Sequence, residues 1–300
     1  MKTPRFGELL TAMVTPFASD GSLDVKAARR LASHLVDHGS DGLVVCGTTG
    51  ESPTVSHDEK LDLFESVLDE VGDRATIVAG TGTYDTAESV ELTREAASLG
   101  VHACLVVTPY YSRPPQNGLL AHFRTVADAA SVPLILYDIP GRTGRRIERD
   151  TLVELASHEN IVAVKDAIGD AGETAAVRAA LDRAGASDFE IYSGDDPLLL
   201  PHLAAGARGI VSVCSHLVGD QIKSILAAWR GGDVAGAQQT YLSLLPLFKV
   251  IMGVTSSPIP VKAALGMLGQ EVGDPRPPLV PPTSDESAAI RAALEEAGLL

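Results

Sequence analysis

The chain of 300 residues carries 24 Lys and Arg against 39 Asp and Glu, a formal net charge of −15, with a pI near 4.9. Such a surface repels phosphate backbones and anionic lipid, which argues against nucleic-acid and membrane partners. Hydrophobic residues make up 45% but aromatics only 4%, so a sizeable core of Ala, Val, Leu and Ile is expected and a disordered main state is not.

In chain order, short apolar runs alternate with amphipathic segments. Strands are predicted over Leu10–Phe17, Gly42–Gly47, Thr76–Gly80, Ala103–Thr108, Pro133–Ile139, Ile161–Ala167, Glu190–Gly194 and Gly209–Cys214. Helical patterns fall between them at Val25–His38, His57–Val71, Thr86–Leu99, Gly118–Ala130 and Gly172–Arg183. Most of the strands are continuously hydrophobic, the mark of strands buried on both faces of a parallel sheet. After about Trp229 only helices are predicted, at Val234–Met252, Val261–Leu268 and Ser284–Ala297, the last behind a Pro-rich linker, Pro275–Pro282.

Eight strand–helix units predict an α/β fold, a (β/α)₈ TIM barrel over residues 1–230 with a C-terminal helical extension over 231–300. A doubly wound open sheet is the competing architecture. It would place a glycine-rich phosphate loop after the first strand, where Thr15-Pro16-Phe17 stands instead. The three cysteines (Cys46, Cys104, Cys214) lie in apolar runs without CxxC spacing, and the eight histidines are scattered. Structural zinc, disulfides and a histidine-built metal site are therefore not expected. Met1-Lys2-Thr3-Pro4-Arg5-Phe6-Gly7 leads directly into strand-like sequence without a long apolar segment, and no other stretch is long enough to span a bilayer. A soluble, reducing, cytoplasmic setting is the expectation.

Barrel active sites are assembled at the carboxyl ends of the strands. There the sequence places Gly47-Thr48-Thr49-Gly50-Glu51, Thr108-Pro109-Tyr110-Tyr111, Tyr137-Asp138-Ile139-Pro140-Gly141-Arg142-Thr143-Gly144, Lys165-Asp166 and Ser193-Gly194-Asp195-Asp196. Lys165 ends an otherwise apolar run, Ile161-Val162-Ala163-Val164. Burial favours the neutral amine, the form that attacks a ketone to give an imine. The plain alternative is a lysine that snorkels to solvent or pairs with Asp166. Tyr137 could move protons at such a centre, or be a core tyrosine with a satisfied hydroxyl. Thr48 and Thr49 could hold a carboxylate or simply form a connecting turn. Arg142 suits bidentate capture of a carboxylate, or is a surface arginine. Tyr110-Tyr111 fits a subunit interface, or packs on its own barrel mouth.

Taken together, these segments resemble the dihydrodipicolinate synthase and N-acetylneuraminate lyase superfamily, in order and over essentially the whole chain, and within it the dihydrodipicolinate synthase branch. The resemblance implies that Lys165 forms a Schiff base with pyruvate, with Tyr137, Thr49 and Tyr111 as a proton relay, Tyr111 reaching in from a neighbouring subunit. It implies that Thr48 and Thr49 hold the pyruvate carboxylate, that Arg142 binds aspartate semialdehyde, and that Gly194 and Ile210 line the pyruvate pocket. No cofactor is implied beyond the covalent link to substrate, and a homotetramer made of two dimers is. Two other functions stay in view: a pyruvate-dependent class I aldolase for keto-deoxy sugar acids or hydroxy-keto acids, and a non-catalytic ligand-binding barrel.

The family's lysine-effector site is matched only in part. His57, Glu88 and Tyr110 fit it, but Lys60 and Tyr84 replace a histidine and an asparagine. Lysine feedback is accordingly expected to be weak or absent.

Overall fold

The computed structural model describes residues 4–300; Met1–Thr3, the start of the lead into the first strand, lie outside the described residues. Eight strands run in chain order: β1 (Leu9–Ala12), β2 (Gly42–Val45), β3 (Thr76–Gly80), β4 (Ala103–Val107), β5 (Leu134–Asp138), β6 (Ile161–Asp166), β7 (Glu190–Ser193) and β8 (Gly209–Ser212). They form a closed barrel in that order, with parallel neighbours such as β4–β5, β5–β6 and β6–β7. The predicted TIM barrel is therefore observed. Nearly every strand residue is buried, as the continuous apolar runs require.

Among the described residues, twelve α-helices accompany the strands: α1 (Val25–Asp37), α2 (His57–Val71), α3 (Thr86–Leu99), α4 (Gln116–Ala129), α5 (Pro140–Thr143), α6 (Arg149–Leu155), α7 (Ala171–Arg183), α8 (Leu199–Ala204), α9 (Ser215–Gly231), α10 (Val234–Gly253), α11 (Ile259–Met267) and α12 (Ser284–Glu296). Their starts are written in the sequence. Asp24, Asp85 and Asp170 cap α1, α3 and α7 by accepting backbone N–H groups. Ser56 with Glu59 and Thr283 with Glu286 form capping boxes on α2 and α12.

The helices α5, α6, α8 and α9 have no counterpart among the predicted ones. The first three span one or two turns, too short to display a helical period. Strand β1 ends at Ala12 rather than continuing to Phe17, for a visible reason. Met13 makes one more ladder bond to Val44 O (3.1 Å), and then the Val14 N–H is captured by His216 Nε2 at 3.1 Å. Phe17 instead forms an isolated antiparallel bridge with Leu23.

The chain divides into two compact units, Met1–Ala75 with Ser212–Leu300, and Thr76–Val211. Within the first, α1 packs on α2, α9 on β1 and α10, and α12 on α10 and α11. Within the second, Leu134 and Leu136 of β5, Ile161 and Val164 of β6, and Phe123 and Val126 of α4 share one core. All three cysteines are free and buried. No helix among the described residues is long and apolar enough to cross a membrane.

Candidate active site

In the unit Thr76–Val211, the last residues of β5 and β6 are held in register, Tyr137 opposite Lys165 and Asp138 opposite Asp166. Both Lys165 (4% exposed) and Tyr137 (3%) are buried. Lys165 Nζ stands 4.2 Å from the centroid of the Tyr137 ring, within range of a cation–π contact. Burial excludes the snorkelling alternative. The pairing with Asp166 is absent as well: that carboxylate accepts Thr174 Oγ1 at 2.6 Å and Ile168 N at 3.0 Å. Consecutive strand residues point to opposite faces, so Lys165 and Asp166 diverge.

Gly194 closes against the lysine stem. Its N–H donates to Asp166 O at 2.7 Å. A Cβ there would lie 2.8 Å from Ala167 Cβ, 3.1 Å from Asp166 O and 3.1 Å from Lys165 Cε. A side chain there would collide with Ala167 and press on the lysine stem. Gly194→Ala is expected to lower kcat/KM by about tenfold to a hundredfold. Labelling of Lys165 by an amine-directed reagent should slow in step, and wild-type labelling rates would show that the lysine had not moved. Ile210, fully buried, pairs with Ser193 one residue before Gly194.

Arg142 lies on α5, a single helical turn rather than an irregular loop. Pro140 starts the turn, and the N–H groups of Arg142 and Thr143 both bond Ile139 O at 3.0 Å. Gly144 ends it in the left-handed conformation at φ 69°. The guanidinium is exposed, with no hydrogen bond or ion pair among the described residues. Gly141, beside it, faces open space, so a serine there would meet no obstruction.

Tyr111 is 95% exposed at φ 68°, which rules out packing on its own barrel mouth. Tyr110 is half-buried and meets Tyr84 edge to face, centroids 5.3 Å apart. Burial first, then Glu88 and Tyr84, raise the Tyr110 phenol above its usual range. Three of the effector-position residues thus meet in this unit.

In the unit Met1–Ala75 with Ser212–Leu300, Thr49 is buried and Thr48 half-buried on the turn after β2. Neither hydroxyl is engaged among the described residues, which leaves both free to receive a ligand. Lys60, an effector-position residue in this unit, is itself buried.

One cluster was not singled out from the sequence. Asp138, behind Tyr137, accepts Ile147 N at 3.1 Å through Oδ2. Burial, opposed by that bond and reinforced by Asp166, pushes its carboxyl up to about 7. Burial with Asp196 and Asp166 similarly pushes Asp195 up to about 6. Their signal was adjacency to the tyrosine, the lysine and Gly194. Among the described residues, no group of three or more His, Cys, Asp or Glu is placed to hold a metal ion.

A closed parallel barrel that stacks a buried primary amine on a tyrosine at adjacent strand ends has the constitution of a Schiff-base-forming aldolase. The chain belongs to the Dihydrodipicolinate synthetase family, which it matches over residues 5–297. It is 52% identical over 296 residues to the 4-hydroxy-tetrahydrodipicolinate synthase of Moorella thermoacetica, covering 99% of this chain and 100% of that one. The dihydrodipicolinate synthase of Cyanidioschyzon merolae, solved with lysine bound, superposes with a TM-score of 0.95 at 41% identity, covering 99% of this chain and 100% of that one. The chloride-inhibited enzyme of Acinetobacter baumannii, complexed with pyruvate, gives 0.93 at 36% identity, covering 98% and 99%.

Proposed function

We propose that the protein condenses pyruvate with L-aspartate 4-semialdehyde to give 4-hydroxy-tetrahydrodipicolinate, the lyase-type reaction that feeds diaminopimelate and lysine biosynthesis. The observation that carries this reading is the buried Lys165 amine against Tyr137, in a chain half identical to synthases of that name. Lys165 attacks C2 of pyruvate; loss of water from the carbinolamine gives an iminium, and loss of a C3 proton gives an enamine. Tyr137, Thr49 and a Tyr111 contributed by a second subunit move these protons. Thr48 and Thr49 receive the pyruvate carboxylate, with Gly194 and Ile210 closing its pocket. The enamine carbon adds to the aldehyde, and the amino group of the semialdehyde then displaces Lys165 as the ring closes. The iminium is itself the electron sink, so the steps call for no metal or organic cofactor.

Arg142 gives the aldehyde its identity. An unpaired guanidinium on a rigid turn suits a short acid, whereas a sugar aldehyde would need hydroxyl-binding groups. Aspartate semialdehyde should therefore be turned over in preference to sugar aldehydes. Arg142→Ala should raise its KM by about tenfold to a hundredfold while leaving pyruvate trapping intact. Equal use of sugar aldehydes would move the protein to the sugar-acid aldolases.

The assembly is a homotetramer of two dimers in the cytoplasm; the exposed Tyr111 supports the self-association in that reading. Lysine feedback is weak or absent, because Lys60 and Tyr84 replace the neutral, smaller groups that would receive an ammonium. Strong inhibition by millimolar lysine in the same assay would contradict this.

A further inference from the structure

The turn that carries Thr48 and Thr49 ends in a residue under unusual demands. Glu51 is 3% exposed, yet it bears a carboxylate and adopts a left-handed backbone, φ 56° and ψ 35°. A non-glycine residue held so, with its charge out of water, persists only where its surroundings impose it. The surroundings come from the C-terminal helical region. Lys262 Nζ lies 2.6 Å from Glu51 Oε1, a close ion pair with both side chains almost wholly buried. The Arg276 N–H donates to Glu51 Oε2 at 2.8 Å.

These two residues are themselves anchored. Lys262 Nζ also donates to Asp274 O at 3.3 Å and stands 4.3 Å over the Phe17 ring. The Arg276 guanidinium reaches Gly21 O and Thr54 O, clasps both Glu59 oxygens, and stands over the same Phe17 ring at 4.1 Å. The Arg276 bonds hold the Glu59 carboxyl down at about 2. Glu59 in turn belongs to the capping box that starts α2.

On its other side the turn is fixed by Thr15, whose hydroxyl donates to Gly50 O at 2.6 Å. Gly50 has little room for a side chain: a Cβ would stand 3.1 Å from the Cys46 backbone and from Met13 O. The Glu51 N–H closes the turn on Thr48 O at 3.1 Å. The backbone of Thr48-Thr49 is thus held between Thr15 and the Glu51 carboxylate.

We propose that Glu51, Lys262 and Arg276 are positioning residues, a buried ionic latch through which the C-terminal helical region fixes the Thr48-Thr49 turn for the pyruvate carboxylate. The proposal rests on the reading that this turn binds pyruvate. The latch touches no reacting atom; it acts by keeping two hydroxyls and their N–H groups where a carboxylate would meet them. Loss of one partner loosens the turn, so pyruvate binding and the Thr49 step of the proton relay suffer, while the aldehyde clamp at Arg142 does not.

The test is a pyruvate titration of borohydride trapping at Lys165 on full-length Glu51→Gln, Lys262→Met and Thr48→Ala proteins, with the KM for aspartate semialdehyde and thermal unfolding measured in parallel. Glu51→Gln and Lys262→Met should each raise half-saturating pyruvate by about tenfold, with the aldehyde KM within about twofold. Lower thermal stability with unchanged pyruvate saturation in the folded protein would make the network purely structural and overturn the proposal. Should Lys262→Met fail to fold, Glu51→Gln, which keeps the shape and an acceptor oxygen, carries the test. Thr48→Ala separates the two ideas: if it leaves pyruvate saturation unchanged, the assignment of the turn to pyruvate is at fault, and the latch falls with it. If Thr48→Ala weakens pyruvate and Glu51→Gln does not, the latch alone is wrong.

Discussion

Lys165→Ala is expected to lower turnover by roughly 10⁴-fold or more, and to abolish covalent trapping by pyruvate and borohydride. The wild-type protein should gain a pyruvyl increment on Lys165 and on no other residue. The side chain is 4% exposed and, among the described residues, contacts the Tyr137 ring without making a hydrogen bond or ion pair, so its removal deletes the nucleophile without breaking a hydrogen-bond network. The variant should fold, because truncation removes a buried amine that the fold otherwise has to accommodate. Lys165→Arg should be as inactive, since a guanidinium does not form the imine. Adduct formation in Lys165→Ala at wild-type rate would place the nucleophile elsewhere, and an intact wild-type protein with no adduct would end the Schiff-base reading.

What could be read from the sequence divides along physical lines. Strands buried on both faces leave continuous apolar runs, and β3 was recovered to the residue. Helices that carry both a cap and a long apolar stripe, α2 and α3, were bounded equally well. Lys165 was legible because a charge in an apolar run is anomalous wherever it occurs. Whether it pairs with Asp166 was left open by the sequence, and the structure separates the two because that carboxylate accepts from Thr174 and Ile168. Other features depend on contacts that no local pattern reports. The single turn α5 is too short to show a period, and the early end of β1 depends on His216, which caps Val14 from 202 positions away. The network around Glu51 was invisible for the same reason. Arg276 lies 225 positions further along the chain, in a segment that reads only as a Pro-rich linker. Tyr111 marks another kind of limit: its side chain is 95% exposed, and no local pattern separates an exposed tyrosine from a packed one.

Tyr137→Phe should cost about 10²- to 10⁴-fold in kcat, the range for losing a positioned general acid–base. The substitution removes only the phenolic oxygen. The ring keeps its buried place on β5, opposite Lys165 in the ladder, and still presents a face to the amine at the observed 4.2 Å. The hydroxyl makes no hydrogen bond to the described residues, so no other group is left unpaired by its loss and thermal stability should change little. The expected signature is therefore kinetic. Pyruvate should still label Lys165 under borohydride, but slowly, because carbinolamine dehydration and removal of the C3 proton lose their acid–base partner while the nucleophile remains. Exchange of the pyruvate methyl protons with deuterated solvent, followed by NMR, isolates the second of those steps and should slow by a similar factor. Exchange at the wild-type rate would assign that proton to another group and leave Tyr137 as packing for Lys165.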